Sequence, residues 1–240
     1  EQGFTYFDKP LRNIGVSGMS TDGPLTVACN VRGASQFLLD LVMQPEFATE
    51  LLGFITDATV MRIKAYRKRL GQPEKSPSFG FADDSIQLIS TDLYEEMVLP
   101  HHKKLVSELS EGEPGGIHLC GDSTRHFRLI RDELNVMSFD TGYPVDFGAL
   151  RETLGPDVEI QGGPSVPFLQ AATTDETAQE TKRILQSGIM RGGRFILREG
   201  NNLAPDIPDE NLWAMYETVR EYGRYPASCD VSTHITEQLA

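Results

Sequence analysis

Residues 116–142 read GIHLCGDSTRHFRLIRDELNVMSFDTG. Two short runs of β-forming character, Gly116–Leu119 and Val136–Asp140, enclose a stretch long enough for a turn and a helix. Each run is too short to be a helix itself, and each gives way at once to polar residues and glycine: His118-Leu119-Cys120-Gly121-Asp122 in the first case, Phe139-Asp140-Thr141-Gly142 in the second. Strands joined by a helix-length connection run parallel, because a tight turn can only reverse the chain.

The same unit recurs on either side. Further β-like runs lie at Asn13–Met19, Ser78–Ala82, Val158–Gln161 and Arg194–Arg198. Between them apolar residues follow helical spacing: Phe47, Leu51, Phe54, Ile55, Ala58, Met61 and Ala65, then Ala178, Thr181, Ile184, Leu185 and Ile189. Leu212, Met215, Tyr216 and Val219 repeat the pattern after Pro208, with Asp209 and Glu210 suited to a helix N-terminus. Gly192-Gly193 stops the helix before the last run. The alternation predicts an α/β fold with a parallel sheet. About six such units are present, whereas a closed barrel needs eight, so on periodicity alone a barrel and a doubly wound open sheet both fit. No G-x-G-x-x-G follows any of these runs, so dinucleotide binding has no support.

The 240 residues suit one large domain or two small ones, and 39% hydrophobic with 24% charged residues allows a sizeable core. With 22 Lys and Arg against 35 Asp and Glu, the net charge of −13 argues against non-specific nucleic acid or anionic membrane partners and says nothing about a small-molecule substrate. No apolar run is long enough to span a membrane, and the opening EQGFTYFDKPLR has no signal-peptide core. Cys29, Cys120 and Cys229 are too few and scattered for a disulfide framework, which points to a reducing cytoplasm.

Both α/β architectures gather function at the C-terminal ends of the strands. Polar residues collect there: Asp83-Asp84, the His118 to Asp122 stretch, Asp140, Gln161-Gly162-Gly163-Pro164 and Glu199-Gly200-Asn201-Asn202. Side chains two apart on a strand share a face, so His118 and Cys120 can point to one centre. Imidazole and thiolate suit zinc. A third ligand must come from another strand end, and Glu199, Asp83, Asp84 or Asp140 can supply a carboxylate. The plainer alternative is a hydrogen-bonded strand histidine beside a small core cysteine. Asp83 and Asp84 either meet substrate or cap the helix that begins between Ser90 and Tyr94. The basic run Arg62, Lys64, Arg67, Lys68 and Arg69 reads as a solvated helix end. His101 and His102 read as surface residues, and His126 as structural. Nothing marks a nucleophile elbow.

The order of these motifs carries a resemblance. Gly23-Pro24-Leu25-Thr26, Phe81-Ala82-Asp83-Asp84 with Ser90, Tyr94 and Leu99-Pro100, His118-Leu119-Cys120-Gly121, Ile160-Gln161-Gly162-Gly163-Pro164, and Gly200 with Pro205, Pro208, Glu210 and Asn211 together resemble the uroporphyrinogen decarboxylase superfamily along essentially the whole chain. The resemblance implies a (β/α)8 barrel, here a single domain over residues 1–240 lacking its first two βα units. Two chemistries occur in the superfamily. Decarboxylases remove acetate carboxyls from a tetrapyrrole without a cofactor, using among others a Tyr and a His whose positions fall at Asn30 and Asn201. Corrinoid:thiol methyltransferases hold zinc through His-x-Cys and a later Cys. His118 and Cys120 match that pair, the later Cys falls near Asn201, and Glu199 stands in as third ligand.

The resemblance therefore implies a zinc-dependent methyltransferase that activates a thiol and works with a corrinoid protein. The alternatives are tetrapyrrole decarboxylation and a non-catalytic tetrapyrrole- or corrinoid-binding subunit. The implied metal ligands are His118, Cys120 and Glu199. Asp83, Asp84, Glu199 and Asn201 are the catalytic candidates, and Asp140, Gln161 and Asn202 the substrate-binding ones. An incomplete barrel would leave two sheet edges unpaired, which favours self-association or a partner.

Overall fold

The computed structural model describes residues 20–225 and the backbone of two short strands, β1 (Thr5–Tyr6) and β2 (Lys9–Pro10), which pair antiparallel. The expected run at Asn13–Met19, and Cys229, lie outside the described residues. Three helices come first: α1 (Pro24–Arg32), α2 (Ala34–Met43) and α3 (Pro45–Arg69). The βα alternation then takes over. Strand β3 (Phe81–Ala82) leads through a 3-10 turn at Asp84–Leu88, α4 (Thr91–Leu93) and a π-helical turn at Tyr94–Val98 into α5 (Leu99–Leu109). Next come β4 (Gly115–Leu119), α6 (Thr124–Leu134), β5 (Val136–Thr141), α7 (Phe147–Leu154) and β6 (Glu159–Gly162). Helices α8 (Val166–Ala171) and α9 (Thr174–Ile184), a second π-helical turn at Leu185–Ile189, β7 (Phe195–Leu197) and α10 (Asp209–Tyr222) complete the order.

Strands β3 to β7 form one parallel sheet in sequence order, and Asp22 adds a parallel bridge to Ala82. A doubly wound sheet reverses its strand order partway; this one never does, and so winds as a (β/α) barrel does. Its register explains both faces. Phe81, Ile117, Phe139, Ile160 and Phe195 stand side by side in one row, and all are buried. Phe127 of α6 packs on Phe139, and Phe147 of α7 on Phe195, so this is the face the helices cover. Burying each such side chain contributes about 1.5–3 kcal/mol. The next residue along each strand points the other way, giving a second row of Ala82, His118, Asp140, Gln161 and Ile196.

Local chemistry sets the helix ends. Thr173 and Glu176 form a reciprocal capping box at α9, and Asp146 and Ser165 cap α7 and α8. Two arginines serve as internal staples. Arg151, nearly fully buried, donates to the carbonyls of Ile189, Gly155, Val158 and Arg194. Arg67 likewise turns inward, donating to the carbonyls of Glu74 and Leu109 and to Ser76 Oγ. The basic end of α3 is therefore not wholly solvated: one residue in it closes a loop. Helix α3 differs from expectation in a second way. It is a helix as predicted, but its buried face is Ala48, Leu52, Ile55, Thr56, Thr59, Val60 and Ile63. Most of the apolar series that marks this helix by its spacing stands in solvent, with Phe54 and Met61 each 71% exposed.

His126 is structural, as expected. It is fully buried, its Nε2 lies 3.0 Å from the Ile86 carbonyl, and Nδ1 has no partner among the described residues. Burial, reinforced by the Arg125 charge, pushes its pKa down to about 4. The unfolded chain takes up this proton near pH 6.5 and the folded chain refuses it. Stability from this residue is thus complete above pH 6.5 and declines as pH falls toward 4. Substituting His126→Asn should make urea stability less sensitive to acidification from pH 7 to pH 5, by about 1–2 kcal/mol relative to wild type. Parallel pH curves for the two proteins would refute this.

Candidate metal centre

Three elements converge where β3 and β4 end. Asp84 opens the 3-10 turn after β3, and its Oδ1 accepts the backbone N–H of Cys120 at 2.7 Å. That bond fixes the first residue beyond β4 against the end of β3. On the other side Gly142 lets β5 come close: a Cβ there would lie 2.7 Å from the Cys120 Cα, so only glycine fits. His118 and Cys120 consequently face one point, with Nε2 3.1 Å from Sγ. Ligand atoms of Asp84, His118 and Cys120 all lie within 4.8 Å of one another, and the three side chains are only partly buried, so a substrate can reach them.

A second layer holds this group. His118 Nδ1 is 2.8 Å from Asp140 Oδ2, in the neighbouring strand and in register with it. This bond, with the one to Cys120, raises the His118 pKa to about 10. Arg198 NH1 donates to the same Asp140 oxygen at 3.1 Å, and Arg198 NH2 donates to Glu199. Asn201 reaches across from the loop after β7 and donates its amide to Cys120 Sγ at 2.9 Å. The sulfur is thus treated as an acceptor, as a thiolate ligand would be.

The donor set, one sulfur, one imidazole nitrogen and one carboxylate oxygen, fits a borderline-soft cation such as zinc with a coordination position left over. The backing of His118 by Asp140 is the carboxylate–histidine arrangement that orients imidazole ligands.

The structure brings together Asp84, His118, Cys120, Asp140 and Asn201 from the sequence-derived set. Glu199 is not among the grouped ligands: its carboxylate turns to Arg198, and Asp84 stands with His118 and Cys120 instead. Gln161 shares the polar row, but its amide donates to Glu159 Oε1 at 2.9 Å. Asn202 is exposed and donates its backbone N–H to Asn201 Oδ1.

Asp83 has another job. It is fully buried, accepting from the N–H of Leu25 and of Thr26 and from Thr26 Oγ1, with His102 Nε2 at 2.8 Å. Pro24 has no N–H, and Gly23 has no side chain to cap α1, so Asp83 supplies the cap from β3. The adjacent carboxylates divide the work: Asp83 caps the preceding helix, and Asp84 faces the site. His102, expected at the surface, is buried and bonded onward to Tyr94. Arg198 as the brace of Asp140 was missed by sequence reasoning. Its place one residue past β7, in the polar row's direction, was the available signal.

A family model for uroporphyrinogen decarboxylase (URO-D) matches residues 12–222. Among curated proteins, the chain is 26% identical to the methylcobamide:CoM methyltransferase MtbA of Methanosarcina acetivorans, over 90% of this chain and 60% of that protein. It is 30% identical to the methylated-thiol--coenzyme M methyltransferase of Methanosarcina mazei, over 82% of this chain and 51% of that protein. The uroporphyrinogen decarboxylase of Trichlorobacter lovleyi is 30% identical over 55% of this chain and 38% of its own length. The chain therefore spans about half to three-fifths of the methyltransferases it matches. Among solved structures, a methyltransferase from Methanosarcina mazei superposes with a TM-score of 0.65 at 20% identity, covering 85% of this chain and 58% of that one. That likeness concerns the fold.

Proposed function

Because the chain belongs to the uroporphyrinogen decarboxylase (URO-D) family, whose relatives include both methyltransferases and decarboxylases, we propose that it serves a zinc-dependent transfer of a methyl group from a corrinoid to a thiol, within a (β/α)8 barrel. The observation that carries this reading is the convergence of Asp84, His118 and Cys120 ligand atoms within 4.8 Å at the strand ends. Bound there, zinc would lower the pKa of a substrate thiol and present it as a thiolate nucleophile. His118 offers Nε2 because Asp140 takes Nδ1, and Arg198 balances the Asp140 charge. Asn201 steadies the Cys120 sulfur. A methyl donor on a corrinoid protein would approach from the C-terminal ends of the strands.

Decarboxylation needs cations for the substrate carboxylates and a proton donor. Of the two arginines near the strand ends, Arg198 is held by Asp140 and Glu199. Arg125 is spent on the carbonyls of Gln87, Ile89 and Asp122. The donor set favours the methyltransferase.

The test is methyl transfer from methylcob(III)alamin to coenzyme M, the thiol acceptor in the relatives' names, followed by the change in corrinoid absorbance. Zinc-dependent transfer that Cys120→Ser abolishes is the expected result. Turnover of uroporphyrinogen with no methyl transfer would overturn the proposal in favour of the decarboxylase.

A further inference from the structure

Of the three proposed ligands, Asp84 leans least on a strand. His118 lies within β4 and Cys120 directly follows it, whereas Asp84 opens the 3-10 turn Asp84–Leu88. The 3-10 form has poor hydrogen-bond geometry and seldom runs past three or four residues, so a turn of this length needs support from outside. Its last carbonyls in particular look for donors elsewhere. Those donors come from the first turn of α6. His126 Nε2 lies 3.0 Å from the Ile86 carbonyl. Arg125 directs Nε and NH2 at the Ile89 carbonyl, at 3.1 and 2.9 Å, and NH2 also donates to the Gln87 carbonyl. The remaining edge of the guanidinium donates from NH1 to the Asp122 carbonyl at 2.9 Å, two residues beyond Cys120.

We propose that Arg125 is a positioning residue of the metal centre: its guanidinium ties the turn that carries Asp84 to the segment that carries Cys120, and so keeps the carboxylate in the ligand set. The inference rests on the metal reading above and adds to it a group that is not itself a ligand. One planar fork spans both segments, a reach that Arg has and a single ammonium lacks. The two segments also touch directly. Asp84 accepts the Cys120 N–H, and the Gln87 amide fills the space that a Cβ on Gly121 would take. Any movement of the turn is therefore a movement of Asp84 against Cys120. Arg125 is exposed, so packing the core is not its task. Charge alone would give it the opposite effect: a cation beside a metal centre repels the metal, and losing it would strengthen zinc binding. As a clamp, its loss weakens binding.

The experiment is zinc titration of the full chain against a chromogenic chelator, with a melting curve for each variant. Arg125→Ala should lower zinc affinity about tenfold, the lower end of the range for outer partners of a metal site. Arg125→Lys keeps the charge, loses the fork and should fall with it; it also carries the comparison if Arg125→Ala melts early. The deciding background is Asp84→Ala. There Arg125→Ala should change affinity by less than about twofold, because the ligand it positions is gone. Cobalt(II) in place of zinc gives a second readout: the visible bands of Arg125→Ala should move toward those of Asp84→Ala. Zinc held by Arg125→Ala as tightly as by wild type, or more tightly, would overturn the proposal. So would wild-type affinity in Arg125→Lys, or an undiminished loss when Arg125→Ala is added to Asp84→Ala. Each of these leaves the metal reading standing. A wild type that binds no zinc would remove that reading, and this inference with it.

Discussion

Asp83→Ala should cost about 3–5 kcal/mol of stability, the range found when one partner of a buried polar or ionic pair is removed. The carboxylate satisfies two N–H groups in the first turn of α1, the Thr26 hydroxyl and the His102 ring, all out of reach of solvent at Asp83 itself. Alanine would take the Asp83 acceptor from each of them, and an unsatisfied buried donor carries its full desolvation penalty. It would also open a void against Gly23, whose missing Cβ is what lets the carboxylate sit there. The consequences run further, because His102 is held in turn by Tyr94. Burial, with the Asp83 charge adding to it, raises the Tyr94 pKa well above 10, so its hydroxyl keeps its proton, 3.0 Å from His102 Nδ1, while His102 Nε2 lies 2.8 Å from Asp83 Oδ2. Asp83→Asn, which preserves shape, should lose less. Urea unfolding of the three proteins distinguishes this from a chemical role: a folded Asp83→Ala with an unchanged midpoint but no activity would make Asp83 a reacting group instead.

Cys120→Ser should reduce zinc affinity by at least about two orders of magnitude, since a hydroxyl does not supply the soft anionic ligand that a thiolate does. The substitution is nearly isosteric, and the backbone bond from residue 120 to Asp84 survives it, so the loss should come without unfolding. Asp140→Asn touches no ligand atom, yet it removes the carboxylate that orients His118. A reduction of about 10–100-fold is expected for such an outer partner. Zinc titration against a chromogenic chelator, with the melting curve of each variant alongside, measures both. Equal affinity for wild type and Cys120→Ser would remove Cys120 from the metal centre.

Much of this arrangement was visible in the order of residues. Alternation of short β-like runs with helical spacing located five strands of the parallel sheet, and the H-x-C spacing placed His118 and Cys120 on one face. What could not be read was direction. Asp83 and Asp84 are adjacent and chemically identical, yet one caps α1, 57 and 58 residues back in sequence, and the other faces the site. Sequence spacing carries no trace of such long-range pairs. His102 reads as a polar residue after His101; its burial comes from Phe81, Asp83 and Tyr94, which pack around its ring. On α3 the periodicity identified a helix, but a helix with two apolar faces does not announce which one meets the core. Glu199 lost its expected place because Arg198, its neighbour, holds it. Topology was legible only once the sheet order was known, since six units permit either winding.

With Asp84, His118 and Cys120 as the metal ligands, the deciding comparison is of Asp84→Ala with Glu199→Ala by elemental analysis of protein purified with reductant and without chelator. Wild type should hold about one zinc per chain, Glu199→Ala the same content, and both Asp84→Ala and His118→Ala substantially less. Zinc retained by Asp84→Ala and lost from Glu199→Ala, or a wild-type protein that takes up no zinc at all, would contradict this ligand set.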